Sequence, residues 1–283
     1  MPLVTTRDIL LNAKRGGYAV TAFNIENMEM AQIVIRTAAE LRSPVIIQTT
    51  PGTVKYAGMD MLRAMVAVEA AKVDIPVAMH LDHGDSYDRC MEALREKYTS
   101  VMIDGSKLPY EENIALTKSV VQEAEKLGID VEGELGTVSG KEDTHEVKAN
   151  EQIYTDPDQA KDFAEKTGVR SLAVAIGTAH GFYKGEPKLD FDRLKKIIGL
   201  VSVPVVLHGA SGVPDEAIRR TVQLGICKVN FATELRAALT KGVREALRDE
   251  SVYDPKVFMN AGKKYVAETV RHKIEVCGCG GKA

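Results

Sequence analysis

The stretch Pro76-Val-Ala-Met-His80-Leu-Asp82-His83-Gly84 begins as an apolar run and ends abruptly on a carboxylate, an imidazole and a glycine. Its first half reads as a strand buried on both faces, because a half-exposed strand would alternate apolar and polar residues. A buried strand has no reason of its own to finish on Asp-His. A strand whose carboxyl end opens onto a reaction site does, since α/β folds place their chemistry there.

The pattern recurs along the chain. Apolar strands are expected at residues 18–24, 44–50, 75–82, 100–104, 130–134, 171–177, 203–208 and 228–230. Runs such as Pro204-Val-Val-Leu and Leu172-Ala-Val-Ala-Ile again lack alternation. Amphipathic helices are expected at 28–42, 59–72, 111–127, 157–167, 190–199, 214–224 and 234–247, with a terminal pair around 255–278. Eight β-α units leave two choices, a doubly wound sheet or a (β/α)8 barrel. From Asn24 to Asn230 the strand ends recur about every 29 residues, close to one-eighth of a barrel of about 250 residues. The expected fold is an α/β (β/α)8 TIM barrel, one domain over residues 1–283, with extra C-terminal helices. One interval, from Glu134 to His180, is much longer than the rest. It holds Gly136-Thr-Val-Ser-Gly-Lys-Glu142 and a further polar run without periodicity, expected to be a functional lid or an unstructured loop after strand 5.

Composition limits the partners. The net charge of −3 gives no bulk reason to bind nucleic acid or an anionic membrane, so any phosphate recognition must be local. No apolar run approaches the length of a membrane span and the start does not resemble a signal peptide, so a cytoplasmic location is expected. Cys277 and Cys279 form a C-x-C with no second pair, which is weak as a zinc site, and all four cysteines are read as reduced thiols.

In a closed barrel the strand ends surround one mouth. There they bring Asn24, Thr49, Thr50, Asp82, His83, Asp104, Glu134, His180, His208 and Asn230. One histidine at a strand end is ordinarily a hydrogen-bonded structural residue. Three of the chain's six histidines at equivalent positions, His83, His180 and His208, form the ligand set of a catalytic zinc with an open position. Co²⁺ and Mn²⁺ also suit such a set. His80 is read as structural or as support behind the site, and His145 and His272 as surface residues. Asp82 can orient an imidazole or transfer a proton, with comparable weight. Asp104 and Glu134 can hold a second cation or position ligands. Glu142 is a solvated loop charge unless its loop closes over the mouth. His208-Gly-Ala-Ser-Gly212 and Asn230-Phe-Ala-Thr233 each precede a helix, and barrels frequently bind phosphate with the loops after strands seven and eight. A phosphorylated substrate follows.

His80-Leu-Asp-His-Gly, Val131-Glu-Gly-Glu-Leu-Gly, Ala175-Ile-Gly-Thr-Ala-His-Gly, Leu207-His-Gly-Ala-Ser-Gly and Lys228-Val-Asn-Phe-Ala-Thr-Glu together resemble the class II, zinc-dependent ketose-bisphosphate aldolases. The similarity covers nearly the whole chain. Ala-Thr-Glu-Leu after Phe231 and the cysteine-containing tail are similar to the tagatose-1,6-bisphosphate branch. The resemblance implies zinc on His83, His180 and His208, with Asp104 and Glu134 near the metal where a second cation can bind. It implies Asp82 as acid/base on the aldehyde oxygen and Glu142 as the loop residue moving the proton on the donor substrate. Gly181, Gly209, Ala210, Ser211, Asn230, Phe231, Ala232 and Thr233 would hold dihydroxyacetone phosphate. Asn24 would line the site, while Thr50 and a terminal-helix base, Arg271 or Lys273, would reach the second phosphate, with the base supplied by a neighbouring subunit. A homodimer or homotetramer and a non-catalytic helper subunit are compatible with it. Two departures stand out: Ser139 where a Gly-Gly pair is usual, and Gly133 where Glu-Ala-Glu is usual.

The implied reaction cleaves D-tagatose or D-fructose 1,6-bisphosphate to dihydroxyacetone phosphate and D-glyceraldehyde 3-phosphate. Aldol cleavage needs an electron sink at the ketone, which a zinc Lewis acid supplies. No lysine sits at the end of an expected strand to form a Schiff base instead. Three alternatives stay open. They are an aldolase for another ketose such as 6-phospho-5-dehydro-2-deoxy-D-gluconate, a barrel metallohydrolase, and a non-catalytic sugar-phosphate-binding subunit.

Overall fold

A computed structural model describes residues 3–142, 145–147, 153–183, 185 and 187–283, without the side chains of 141, 142 and 145–147. Eight parallel strands close into a barrel: β1 (Val20–Asn24), β2 (Val45–Thr49), β3 (Val77–Gly84), β4 (Ser100–Ile103), β5 (Asp130–Leu135), β8 (Ser171–Val174), β10 (Val205–Leu207) and β11 (Ile226–Phe231). Every residue of these strands is buried, because helices cover the outside and side chains fill the inside. The intervening β6 (Ser139–Glu142), β7 (His145–Val147) and β9 (Ala179–His180) form a separate three-stranded sheet. The polar run after β5, expected to lack structure, therefore contains a short hairpin. Its β6 strand pairs in parallel with β9, Gly140 opposite His180.

The helices begin where local chemistry starts them. Asn27 accepts the Met30 N–H at the head of α2 (Met28–Glu40). Asp156 caps α7 (Pro157–Thr167), whose first residue is a proline with no N–H to leave unpaired. α4 (Met59–Ala70), α6 (Tyr110–Lys126), α8 (Phe191–Leu200), α9 (Asp215–Leu224) and α10 (Thr233–Ala246) lie where periodicity places them. Three helices were not expected: α1 (Thr6–Gly16), α3 (Pro51–Ala57) and α5 (Tyr87–Arg95). The expected terminal pair is one continuous helix, α11 (Pro255–Cys277), packed along α10 and α2. Its sequence has no internal proline, so nothing breaks it.

The barrel is sealed at the end where its strands begin. Arg7 on α1 donates to the buried Asp130 carboxylate at 2.7 and 3.0 Å, and Thr6 Oγ1 reaches Ser100 Oγ at 3.2 Å. From the other terminus, the Ala19 N–H donates to the Cys277 carbonyl and the Gly281 N–H to that of Leu41. Cys277 and Cys279 are buried there, and all four cysteines are free thiols. The chemistry is left to the opposite end.

Candidate active site

The opening stretch breaks its own alternation. Leu81 pairs with Val101 and Gly84 with Ile103, so Asp82 and His83 together stand opposite Met102. This bulge turns two consecutive side chains inward, where a regular strand would send them to opposite faces. It requires a left-handed backbone at His83, with φ +48°. For a non-glycine residue that costs about 1–3 kcal/mol, a strain that persists only where the surroundings hold it. Here the His83 N–H meets Met102 Sδ at 3.4 Å and Nδ1 meets Asp104 Oδ2 at 2.9 Å.

Asp82 is fully buried and held by three amide donors. Asn24 Nδ2 (2.8 Å) and Gln48 Nε2 (3.2 Å) donate to Oδ2, and Asn230 Nδ2 (3.1 Å) donates to Oδ1. Gln48 also donates to Asn24 Oδ1 at 2.8 Å, so β1, β2, β3 and β11 all fix this carboxylate. Gln48 was missed because a lone glutamine inside an apolar run carries no motif.

The three histidines converge. His83, His180 and His208 each offer a ring nitrogen, and those atoms lie within 4.8 Å of one another. His83, Asp104 and Glu134 form an overlapping second group. His208 directly follows β10, but His180 does not end a barrel strand. β8 stops at Val174, and His180 rides on β9 after a four-residue excursion. Glu134 Oε2 lies 3.4 Å from His208 Nδ1 and 3.8 Å from His83 Nδ1. Glu134 Oε2 and His208 Nδ1 are buried without a hydrogen-bond partner among the described residues. A carboxylate oxygen and an adjacent imidazole nitrogen, both lacking a hydrogen bond, fit a bound cation that displaces the imidazole proton, and the imidazole-rich set fits zinc.

Beneath the histidines lies an ionic chain that sequence reasoning missed. His208 Nε2 meets Glu132 Oε1 at 2.9 Å, and Lys228 Nζ donates to Glu132 Oε2 at 2.7 Å. Lys228 Nζ is also 3.3 Å from His80 Nε2, whose Nδ1 meets Ser100 Oγ at 2.8 Å. Burial, with Lys228 beside it, pushes His80 well below the usual imidazole range. His80 is therefore neutral, accepting from Lys228 and donating to Ser100. Burial would raise Glu132, but the Lys228 and His208 partners hold it well below the carboxylate range. Burial would likewise lower His208, yet Glu132 and Glu134 lift it to about 9. Asp104 is held low against burial by His83 and by two Ser106 donors. Glu132 was legible in principle, since it lies two residues from Glu134 on the same strand face.

The expected phosphate loops meet beside this cluster. Ser211 Oγ accepts from the Ala232 N–H (3.3 Å) and the Glu234 N–H (3.5 Å). Glu234 Oε1 accepts from the Gly212 N–H at 2.9 Å, and Lys273 Nζ lies 2.9 Å from Glu234 Oε2. Gly209, Ala210 and Ser211 are thus joined to Asn230, Phe231, Ala232 and Thr233. A cavity of about 880 Å³ opens alongside, lined by Gly181, Phe182, Thr233, Arg236, Lys241 and Arg244 among others. Thr50 caps α3 and contacts Thr53, which donates to Glu26, the ion-pair partner of Arg236. Arg271 is not brought to this mouth within the chain. It pairs with Glu40 at the far end of α2, while Lys273 sits behind the phosphate loops. His272 is exposed and pairs with Asp215. Glu142 has its backbone in β6, and its side chain and that of His145 lie outside the described residues.

Comparison with known proteins agrees with this geometry. The family described as class-II fructose-bisphosphate aldolase matches residues 4–282. The YdjI aldolase from Escherichia coli K12 is similar at 40% identity over 99% of each chain, TM-score 0.89. A putative fructose-1,6-bisphosphate aldolase from Coccidioides immitis is 28% identical over 97% of this chain and 96% of its own, TM-score 0.90. A fructose-bisphosphate aldolase from Campylobacter jejuni is 25% identical over 100% and 97%, TM-score 0.85. This chain belongs to the class-II fructose-bisphosphate aldolase family and is an enzyme of the aldolase type.

Proposed function

We propose that this enzyme is a zinc-dependent aldolase that reversibly cleaves D-tagatose or D-fructose 1,6-bisphosphate to dihydroxyacetone phosphate and D-glyceraldehyde 3-phosphate. The observation that carries the reading is the convergence of His83, His180 and His208 beside a buried Asp82 fixed by three amides. The three imidazoles would hold zinc, with Asp104 and Glu134 beside it. Bound zinc supplies the Lewis acidity that draws electrons from the breaking carbon–carbon bond toward the ketone. Asp82 takes the C4 hydroxyl proton during cleavage and returns it during condensation. Its amide donors hold both oxygens still, so no reorientation precedes the transfer. Glu142 returns a proton to the donor-substrate carbon. The Gly209–Ser211 and Asn230–Thr233 segments, with the N-terminus of α10 behind them, bind one phosphate through backbone N–H groups. We read the whole chain as one domain and the assembly as a homodimer or homotetramer.

Chelation should abolish cleavage and added zinc should restore it; activity that survives metal removal overturns the reading. Asp82→Ala should keep zinc and lose about 10²–10⁴-fold in turnover. The C4 configuration of the substrate is decided by comparing kcat/KM for tagatose and fructose bisphosphates. If neither is cleaved while other phosphorylated ketoses are, the substrate assignment fails and the aldolase chemistry stands.

A further inference from the structure

The His180 segment has a weaker claim on its position than the other two histidines. His83 lies in β3 and His208 directly follows β10, both in the barrel wall. His180 has left the wall, and its strand β9 is laddered to β6 on the hairpin outside the barrel, not to β10. One tie back to the wall is a tyrosine hydroxyl. Tyr183 Oη accepts the Ala179 N–H at 2.7 Å and donates to the Gly209 carbonyl at 2.8 Å. Each end of that bridge is one residue from a histidine of the cluster, Ala179 beside His180 and Gly209 beside His208.

The surroundings are built around the bridge. Gly209 has φ +63°, and a Cβ there would come within 2.7 Å of the Ala179 carbonyl oxygen, so the two backbones approach as closely as glycine permits. The Tyr183 ring lies against Gly212, where a Cβ would meet it at 3.2 Å. Burial, opposed by the Ala179 N–H, raises the Tyr183 hydroxyl to about 12, so it keeps its proton and can donate at any working pH.

We propose that Tyr183 is a positioning residue whose hydroxyl sets the spacing between His180 and His208, and thereby the affinity of the metal site. This rests on the zinc reading above. A phenylalanine at this position keeps the ring against Gly212 and leaves the Ala179 N–H and Gly209 carbonyl without their bridge. Groups that orient metal ligands from behind are worth about 10–100-fold in metal affinity.

The test measures zinc affinity by competition with a chromogenic chelator, alongside the melting temperature of the metal-free protein. It compares wild type, Tyr183→Phe and Tyr183→Leu. Tyr183→Phe should bind zinc at least about tenfold more weakly and melt, metal-free, within a degree or two of wild type. Tyr183→Leu should bind zinc no better than Tyr183→Phe, because the hydroxyl carries the effect. Zinc affinity unchanged in Tyr183→Phe overturns the proposal, as does a variant that fails to fold, since the residue would then serve general stability. A wild type that binds no zinc overturns the metal reading itself, and this proposal with it.

Discussion

Gly133 lies between two carboxylates of the site, and replacing it tests how tightly the wall behind them is packed. Glu132 and Glu134 face inward from β5, so Gly133 faces outward onto α7. A Cβ at that position would sit 2.9 Å from Phe163 Cε1 and 3.1 Å from Val169 Cγ1, and both residues are buried. The aromatic ring fills the volume that an alanine methyl would take, which explains why this chain departs from the usual Glu-Ala-Glu. Forcing a methyl into such a contact costs about 1–3 kcal/mol. The stiffer unfolded chain offsets about 0.4–1 kcal/mol of that. Gly133→Ala should therefore destabilise by about 1–2 kcal/mol. At about 2.1 cal/mol/K per residue, a chain of 283 residues unfolds with an entropy of about 0.6 kcal/mol/K. The expected fall in Tm is about 2–3 °C by circular dichroism. Phe163→Leu in the same chain should recover part of it, so that the double variant melts higher than the two single shifts predict by addition. A Gly133→Ala protein that melts at or above wild type refutes the argument, as does strict additivity with Phe163→Leu.

The other predictions bear on the barrel interior, the excursion to His180 and the pH response. Lys228→Met removes the partner of a buried carboxylate and should cost about 3–5 kcal/mol, read as a Tm lower by about 5–8 °C; pairing it with Glu132→Gln should recover much of that loss. Gly140→Ala would place a methyl 2.1 Å from the His180 carbonyl oxygen at a φ of +100°, so it should break the β6–β9 pairing and lower zinc content after dialysis. Full zinc retention would show that the hairpin does not position His180. Burial raises Glu69, but Arg36 and Lys72 outweigh it and hold the group below the usual carboxylate range. A depressed folded-state pKa gives stability that is present above about pH 4.5 and lost as pH falls through the folded value. Glu69→Gln should therefore flatten the fall in Tm below that pH, and an unchanged slope would show that the ion pairs contribute nothing.

The barrel was legible because its strands are buried on both faces, which removes alternation and leaves apolar runs ending in polar residues. The helices α1 and α5 escaped notice for a related reason. Short polar helices such as Tyr87–Arg95 bury few residues, here Cys90, Ala93 and Leu94, so their period is thin. Lys228 was read as the first residue of a strand, whereas β11 begins at Ile226 and places its side chain wholly inside the barrel. A charge there is intelligible only with its partners, and Glu132 and His80 lie 96 and 148 residues away in sequence. Local pattern carries no information about such a pairing.

Barrel topology alone does not assemble this site. A regular β3 would turn Asp82 and His83 to opposite faces, and only the bulge with its strained His83 backbone brings both to one mouth. A β8 continued straight to residue 180 would overrun the barrel rim, and the β9–β6 ladder and the Tyr183 bridge help return His180 to its partners. Both departures from ideal geometry fall on residues expected to hold the metal. The regular elements, by contrast, supply rigid support: three amides on Asp82 and a buried ion pair under His208. Binding a cation among His83, His180 and His208 would offset the strain at His83 and neutralise the carboxylates gathered there. The metal-free protein should accordingly be less stable by the free energy of zinc binding, and most of the loosening should fall on β9 and the turn at His83. Hydrogen exchange with and without zinc would show it: protection that changes evenly over the barrel, instead of at those two segments, would mean that the strain is not held for the metal.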